Sequence, residues 1–279
     1  PQLHEAGEHL AVGTIESYLV YRLTGGKVHV SDASNASRTA LMAIGSGDWD
    51  DGLLSLFGVP RSILPEICDS AGQLGMTDAS LFGAPIAITG MAGDQQAALI
   101  GQSCLEPGQT KATFGTGAFV LTQTGRTLPK STNRLLATVA WQLGGERHYA
   151  LEGSVFVAGS LIQWLRDDLE LIDASPDTEP LARSVEDNGG VYLVPALSGL
   201  GAPHWQPHAR AAIHGLTFAA KKAHVARAAL EAMAHQTHDL KTAFTADGAD
   251  WAELRVDGGM VENGWMVQDL ADILAVEVE

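Results

Sequence analysis

Pro85-Ile86-Ala87-Ile88-Thr89-Gly90 runs into Gly93-Asp94-Gln95-Gln96, and Gly115-Thr116-Gly117 follows a short distance on. The apolar run predicts a buried-type strand, the residues behind Asp94 a helix over 95–102. The segments 111–114 and 118–122 read as a hairpin closed by the Gly-Thr-Gly turn. An acid at the mouth of a sheet, near a loop whose backbone N–H groups can face an anion, suits phosphoryl transfer to a hydroxyl. In that reading Asp94 accepts the proton of a hydroxyl as it attacks the γ-phosphorus of a nucleotide, and Gln95 hydrogen-bonds a second hydroxyl of the same substrate. Two glycines without Cβ let the backbone approach a phosphate, and Thr116 adds a hydroxyl donor. Each feature also has a plainer reading. Asp94 can cap the helix that follows, and Gly-Thr-Gly can be a tight hairpin and nothing more.

Outward from this stretch the pattern is that of an α/β protein. A helix over 4–23 ends at Gly25-Gly26. Segments 28–30 and 37–39 flank an Asp/Ser/Asn-rich turn, and 51–57 and 61–64 are short helices. Further strands are expected at 137–142, 148–151, 191–194 and 254–256, and a last one begins at 276. Ser154 reads as the N-cap of a helix reaching Leu169, with Val155, Ala158, Ile162, Leu165 and Leu169 as its stripe. Residues 196–207 are a loop rich in Gly and Pro, and helices are expected over 224–244 and 265–274. The division is into two domains, 1–102 and 103–279.

Gly159 falls inside the predicted helix, where glycine costs about 0.5–1 kcal/mol against alanine. Close helix packing would explain it, and so would close approach of a nucleotide, with Gln163 one turn further on the same face. Asp257-Gly258-Gly259 can be a turn, or the close-approach loop for an adenosine with Asn263 at the next helix start. Neither a Walker A loop nor a dinucleotide glycine fingerprint is present. His4-Glu5 and His9 miss the zinc-protease spacing by one residue, and no metal ligand is assigned.

Composition bounds the rest. The chain has 279 residues, 46% hydrophobic, enough for a large core. A formal net charge of −16 argues against non-specific nucleic-acid binding and against an anionic membrane surface. It leaves nucleotides open, because a few N–H groups hold a phosphate inside an acidic protein. Two cysteines, Cys68 and Cys104, suit a reducing cytoplasm. No apolar run approaches the roughly 20 residues of a membrane span.

Taken in order, these pieces resemble the FGGY carbohydrate kinases over nearly the whole chain. The resemblance is carried by Gly13-Thr14-Ile15-Glu16-Ser17, by Asn35-Ala36-Ser37-Arg38-Thr39, and by Asp48-Trp49-Asp50-Asp51. It continues through Gly93-Asp94-Gln95-Gln96, Phe114-Gly115-Thr116-Gly117, Leu151-Glu152-Gly153-Ser154, Gln163-Trp164-Leu165 and Gly199-Leu200-Gly201-Ala202-Pro203. Val256-Asp257-Gly258-Gly259 closes the series. The Gly-Asp-Gln-Gln form points to the members that phosphorylate glycerol over the pentulose kinases. The resemblance implies an actin-like ATPase (ribonuclease H-like) fold of two domains with a cleft between them. It implies ATP with Mg²⁺, and transfer to glycerol giving sn-glycerol 3-phosphate. It makes Asp94 the general base, Gln95 and Phe119 further glycerol contacts, and Thr116, Gly159, Gln163, Gly259 and Asn263 nucleotide contacts. A cytoplasmic homo-oligomer, dimer or tetramer, is the expected form of the full-length protein. The alternatives are a kinase for another polyol or a ketose such as xylulose, and a non-catalytic nucleotide-binding fragment.

The family also begins with an Asp-x-Gly-Thr-Thr phosphate loop and an Arg-Glu pair that grips the glycerol hydroxyls. This chain has neither, so it is expected to be a fragment truncated at both ends and inactive alone. His204, Gln206, His208 and His214 depart from the family pattern in a loop and strand away from the chemistry. Glu262, beside Asn263, puts a carboxylate next to the expected adenosine pocket.

Overall fold

The computed structural model describes residues 10–279. The chain forms two compact units. One takes the chain up to Ala97 with Thr124–Pro129 and Ala137–Ala150; the other takes Ala98–Gln123, Lys130–Leu136 and Leu151–Glu279.

The first unit opens with helix α1 (Ile15–Leu23), closed by Gly25 and Gly26 in the left-handed region at φ 66° and 80°. The helix predicted from residue 4 is shorter than expected. Residues 10–14 are irregular, and the part before Leu10 lies outside the described residues. Strand β1 (Val30–Asp32) leads directly into a short helix, α2 (Ala33–Ala36), where only a turn was predicted. The reason is Asp32, whose carboxylate takes the N–H groups of Ser34 and Asn35 and caps the turn into a helix. Strands β2 (Met42–Ala43) and β3 (Asp48–Trp49) pair antiparallel, and α3 (Asp51–Phe57) follows with Asp50 as its cap. Residues 61–63 are a 3₁₀ turn. Strand β4 (Glu66–Cys68) pairs in parallel with β1. The core packs Ala33, Ala36, Met42, Trp49 and Leu54 against Val139 and Tyr149.

Strand β5 (Ala71–Met76), helix α4 (Ala79–Phe82) and strand β6 (Ala87–Gly90) come next, β5 and β6 forming a two-stranded sheet. The buried-type strand expected here is corrected. Ala87, Thr89 and Gly90 are exposed, because the strand pairs on one edge only and nothing among the described residues covers it. Helix α5 (Asp94–Gly101) then carries the chain past the unit boundary.

In the second unit β7 (Thr110–Phe114) and β8 (Ala118–Gly125) form the predicted hairpin, with Phe114 opposite Ala118 at its closed end. Strands β9 (Leu136–Leu143) and β10 (Glu146–Val155) follow, with Ala137–Ala150 of their residues belonging to the first unit; helix α6 (Gly159–Asp167) and helix α7 (Thr178–Arg183) come next in the second. Strands β11 (Tyr192–Val194) and β12 (Ala212–His214) pair antiparallel. The long helix α8 (Lys222–Ala246), strand β13 (Glu253–Asp257), helix α9 (Gly264–Leu274) and strand β14 (Glu277–Val278) complete the chain. The large sheet has the order β14-β13-β7-β8-β10-β9, with β13 parallel to β7. The predicted stripe of α8 is buried: Leu230, Met233, Leu240 and Phe244 face inward, and α8 packs against α7, α9 and β11. Each such side chain contributes about 1.5–3 kcal/mol by leaving water. No helix among the described residues is long and apolar enough to cross a membrane.

The helix expected from Ser154 is corrected. Strand β10 continues through Ser154 to Val155, and the helix begins at Gly159, after Ala158. Gly159 is therefore the first residue of a helix and not an interior one.

Between α8 and α9 sits an acidic group out of place. Burial, with Glu231 and Asp272 adding to it and Arg227 opposing, pushes the Asp269 carboxyl up to about 6, and its Oδ2 has no hydrogen-bond partner. A carboxyl raised in the folded state holds its proton longer than the unfolded chain does, so stability falls as pH rises from about 4 through 6. Asp269→Asn should match the parent in melting temperature at pH 4 and exceed it by a few degrees at pH 7.5. Equal melting temperatures at both pH values would contradict this account of Asp269.

Candidate functional site

The residues expected to carry chemistry fall into separate groups, one in the first unit and the rest in the second.

In the first unit, Asp94 is the first residue of α5. Gly93 stands at the N-cap, its carbonyl accepting the Ala97 N–H at 2.7 Å. The Asp94 carboxylate is exposed; Oδ1 accepts the Gln95 N–H at 2.9 Å and Oδ2 the Gln95 side-chain amide at 3.3 Å. The capping reading of Asp94 is thus partly met, since it satisfies one N–H of the first turn. Its open face remains free to meet a hydroxyl. Gln95 is half-buried beside it, so the pair predicted to share one substrate does stand together.

In the second unit the Gly-Thr-Gly turn is built against α6. Gly115 N–H closes onto Gly117 O at 2.9 Å. The first N–H groups of the helix, those of Ala158, Gly159 and Ser160, donate to the carbonyls of Thr116, Gly115 and Thr116 at 2.9, 2.9 and 3.1 Å. The hairpin caps the helix from a distant part of the chain, which is why no local cap residue is needed. A Cβ on Gly117 would lie 2.5 Å from Val155 O, and one on Gly159 would lie 2.6 Å from Gly115 O. Both glycines are required by backbone packing alone. Thr116 is left exposed at the tip.

Beyond Gly159 lies a cleft of about 220 Å³ lined by Ser175, Pro176, Thr178, Glu179, Gly259, Met260, Glu262 and Asn263. Met260 connects it to the hairpin, because its Cγ lies 3.3 Å from where a Gly159 Cβ would be. Gly259 has open space around its Cα, whereas Gly258, at φ 96°, is pressed against Phe114. Asn263 caps α9: Oδ1 accepts Met266 N–H at 2.9 Å, and Nδ2 donates to Thr178 Oγ1 at 3.1 Å. The structure therefore brings Gly259 and Asn263 into one cleft. Thr116 and Gly159 form a second cluster. Gln163 and Phe119 are exposed on α6 and β8 and line no part of that cleft. Sequence reasoning missed Ser175, Pro176, Thr178, Glu179 and Met260, which sit in no recognisable motif. Glu262 lines the cleft, as its position beside Asn263 suggested. On the expectation that this cleft takes a nucleotide, removing the charge with Glu262→Gln should tighten ATP binding about two- to threefold by calorimetry, in keeping with a partly screened carboxylate; weaker binding would show that Glu262 contacts the nucleotide favourably.

Comparison with known proteins was consistent across sequence and structure. The model of the FGGY family of carbohydrate kinases, N-terminal domain, matches residues 1–101, and that of the C-terminal domain matches residues 110–279. The chain is 56% identical over 271 residues to a glycerol kinase of Rhodospirillum centenum, covering 97% of this chain and 54% of that protein. It is 54% identical over 270 residues to a glycerol kinase of Coxiella burnetii, with 97% and 54% covered. The crystal structure of Plasmodium falciparum glycerol kinase with ADP superposes with a TM-score of 0.90 at 37% identity, over 96% of this chain and 54% of that one. A xylulose kinase from Rhodospirillum rubrum shares the fold, with a TM-score of 0.82 at 23% identity and coverage of 99% and 58%. The chain thus spans about half the length of the curated relatives it matches.

Proposed function

This chain belongs to the FGGY family of carbohydrate kinases, and from that premise we propose that the protein phosphorylates glycerol with ATP, Asp94 acting as general base. Its fold is the actin-like ATPase fold of that family. The observation that carries the proposal is the Asp94–Gln95 pair: an exposed carboxylate at a helix start beside a hydrogen-bonding amide, in a chain more than half identical to glycerol kinases.

In the proposed reaction a glycerol hydroxyl loses its proton to an Asp94 oxygen while its own oxygen forms a bond to the γ-phosphorus. The bond from that phosphorus to the β–γ bridging oxygen breaks, and ADP leaves. Gln95 holds a second hydroxyl and fixes the acceptor's orientation, and Phe119 offers an apolar face to its carbons. The second unit supplies the nucleotide site. The cleft at Gly259, Met260 and Asn263 suits a nucleoside, offering apolar surface from Met260 and Pro176 beside polar Ser175 and Thr178. From there Gly159 and Gln163 lead toward Thr116, whose exposed hydroxyl is suited to a phosphate oxygen. Mg²⁺ would accompany the ATP and neutralise phosphate charge; no residue is assigned to it. On family likeness we further propose a cytoplasmic dimer or tetramer.

A coupled ADP-release assay on the full-length protein, run with glycerol, erythritol and xylulose, tests the substrate. The kcat/KM for glycerol should lead by at least about tenfold, the factor that one net hydrogen bond of about 1.4 kcal/mol supplies. Turnover led by xylulose would replace it with the ketose reading.

A further inference from the structure

Asp32 is fully buried, and its five donors are all uncharged. Its Oδ1 accepts the Asn35 N–H at 3.1 Å and the Asn35 side-chain amide at 2.8 Å. Its Oδ2 accepts the Ser34 N–H at 3.0 Å, the Ser34 hydroxyl at 2.7 Å and the Ser70 hydroxyl at 2.7 Å. Capping the four-residue helix α2 uses the two backbone bonds. The two serine hydroxyls are additional, and each has only one proton to give. With that proton committed to Asp32, Ser34 Oγ must turn a lone pair outward, and there it accepts the Gly93 N–H at 2.9 Å.

Gly93 immediately precedes Asp94 and caps its helix. On the far side a Cβ at Gly93 would lie 2.4 Å from Gln96 Oε1, and Gln96 is itself buried and bonded to Thr138 Oγ1 at 3.3 Å. Ser70 plays a different part: its hydroxyl also donates to Asp32 and accepts the Gln142 N–H at 3.2 Å, but it holds the approach to Asp94 through its backbone carbonyl, which accepts the Met91 N–H at 2.9 Å.

We infer that Asp32 and Ser34 are positioning residues for Asp94, the Asp32 carboxylate orienting the Ser34 hydroxyl so that it fixes the Gly93 N–H, one residue ahead of Asp94. The inference rests on the reading of Asp94 as the base. A carboxylate is needed for this. An asparagine at position 32 would present Nδ2–H groups, forcing a serine hydroxyl to accept where it now donates and turning its proton toward another donor.

The test compares Ser34→Ala with Ser70→Ala in the full-length enzyme. Both remove one hydroxyl donor from Asp32, so a merely structural role makes them alike. Positioning makes them unlike. Ser34→Ala should lower kcat by about tenfold or more, since small misplacements of a reacting group are costly, with KM for ATP unchanged. Ser70→Ala should lose similar melting temperature and lower kcat less than about threefold, well under that misplacement cost. Asp32→Asn should resemble Ser34→Ala in its kcat-only loss. Equal kcat losses in the two serine variants, or a Ser34→Ala enzyme close to the parent, would overturn the inference while leaving the base intact. A parent enzyme that releases no ADP with any alcohol would remove the base and the inference together.

Discussion

Asp94→Asn in the full-length protein should cut kcat for glycerol phosphorylation by about 10²–10⁴-fold, the range set by losing a general base, and leave ATP affinity unchanged. The fold has little stake in the carboxylate. It is exposed, and its oxygens accept hydrogen bonds from the neighbouring Gln95. An asparagine Oδ1 can still accept the Gln95 N–H, so melting temperature should hold. What the amide lacks is a site for the hydroxyl proton at the moment the oxygen attacks phosphorus. Turnover within about tenfold of the parent is more than a missing base permits and would remove the assignment. Loss of ATP binding would show that Asp94 acts on the nucleotide instead.

The second large effect is structural. Gly258→Ala should destabilise the protein by about 2–4 kcal/mol, combining a side chain at positive φ with overpacking. Gly258 sits at φ 96°, and its added Cβ would lie 2.4 Å from Phe114 O and 2.7 Å from Phe114 C. Phe114 is fully buried and ends β7, so the hairpin that carries Thr116 would have to shift. Gly259→Ala is the matched control, because nothing lies within 4 Å of its added Cβ. It should leave melting temperature unchanged and raise KM for ATP severalfold if the nucleotide passes over that backbone. Two equally stable variants would refute the packing account. Equal ATP affinity in Gly259→Ala and the parent would remove Gly259 from the nucleotide site.

Much of this was legible in the sequence where local pattern and tertiary fold agree. The β7–β8 hairpin announces itself through Gly-Thr-Gly between apolar segments, and α8 through its apolar stripe. The failures have a common cause in partners remote along the chain. Ser154 looked like a cap, yet it lies in β10. The amides at the start of α6 are capped by carbonyls of Gly115 and Thr116, which no local pattern reports. The apolar run at 85–90 implied burial, but among the described residues β6 pairs with β5 alone and is largely exposed. Asp32 read as a turn residue, and its tie to Ser70 spans 38 residues. The cleft combines the loop after β13 with Ser175, Pro176 and Thr178, brought together only by folding. Asp94 and Gln95, adjacent in sequence, needed no such help.

Phosphoryl transfer to glycerol leaves a product that can be observed without a coupling enzyme. Full-length protein incubated with ATP, Mg²⁺ and glycerol should, by phosphorus NMR, show one new monoester at the glycerol primary hydroxyl appearing in step with ADP. ADP accompanied by inorganic phosphate alone, or ATP left intact, would contradict it.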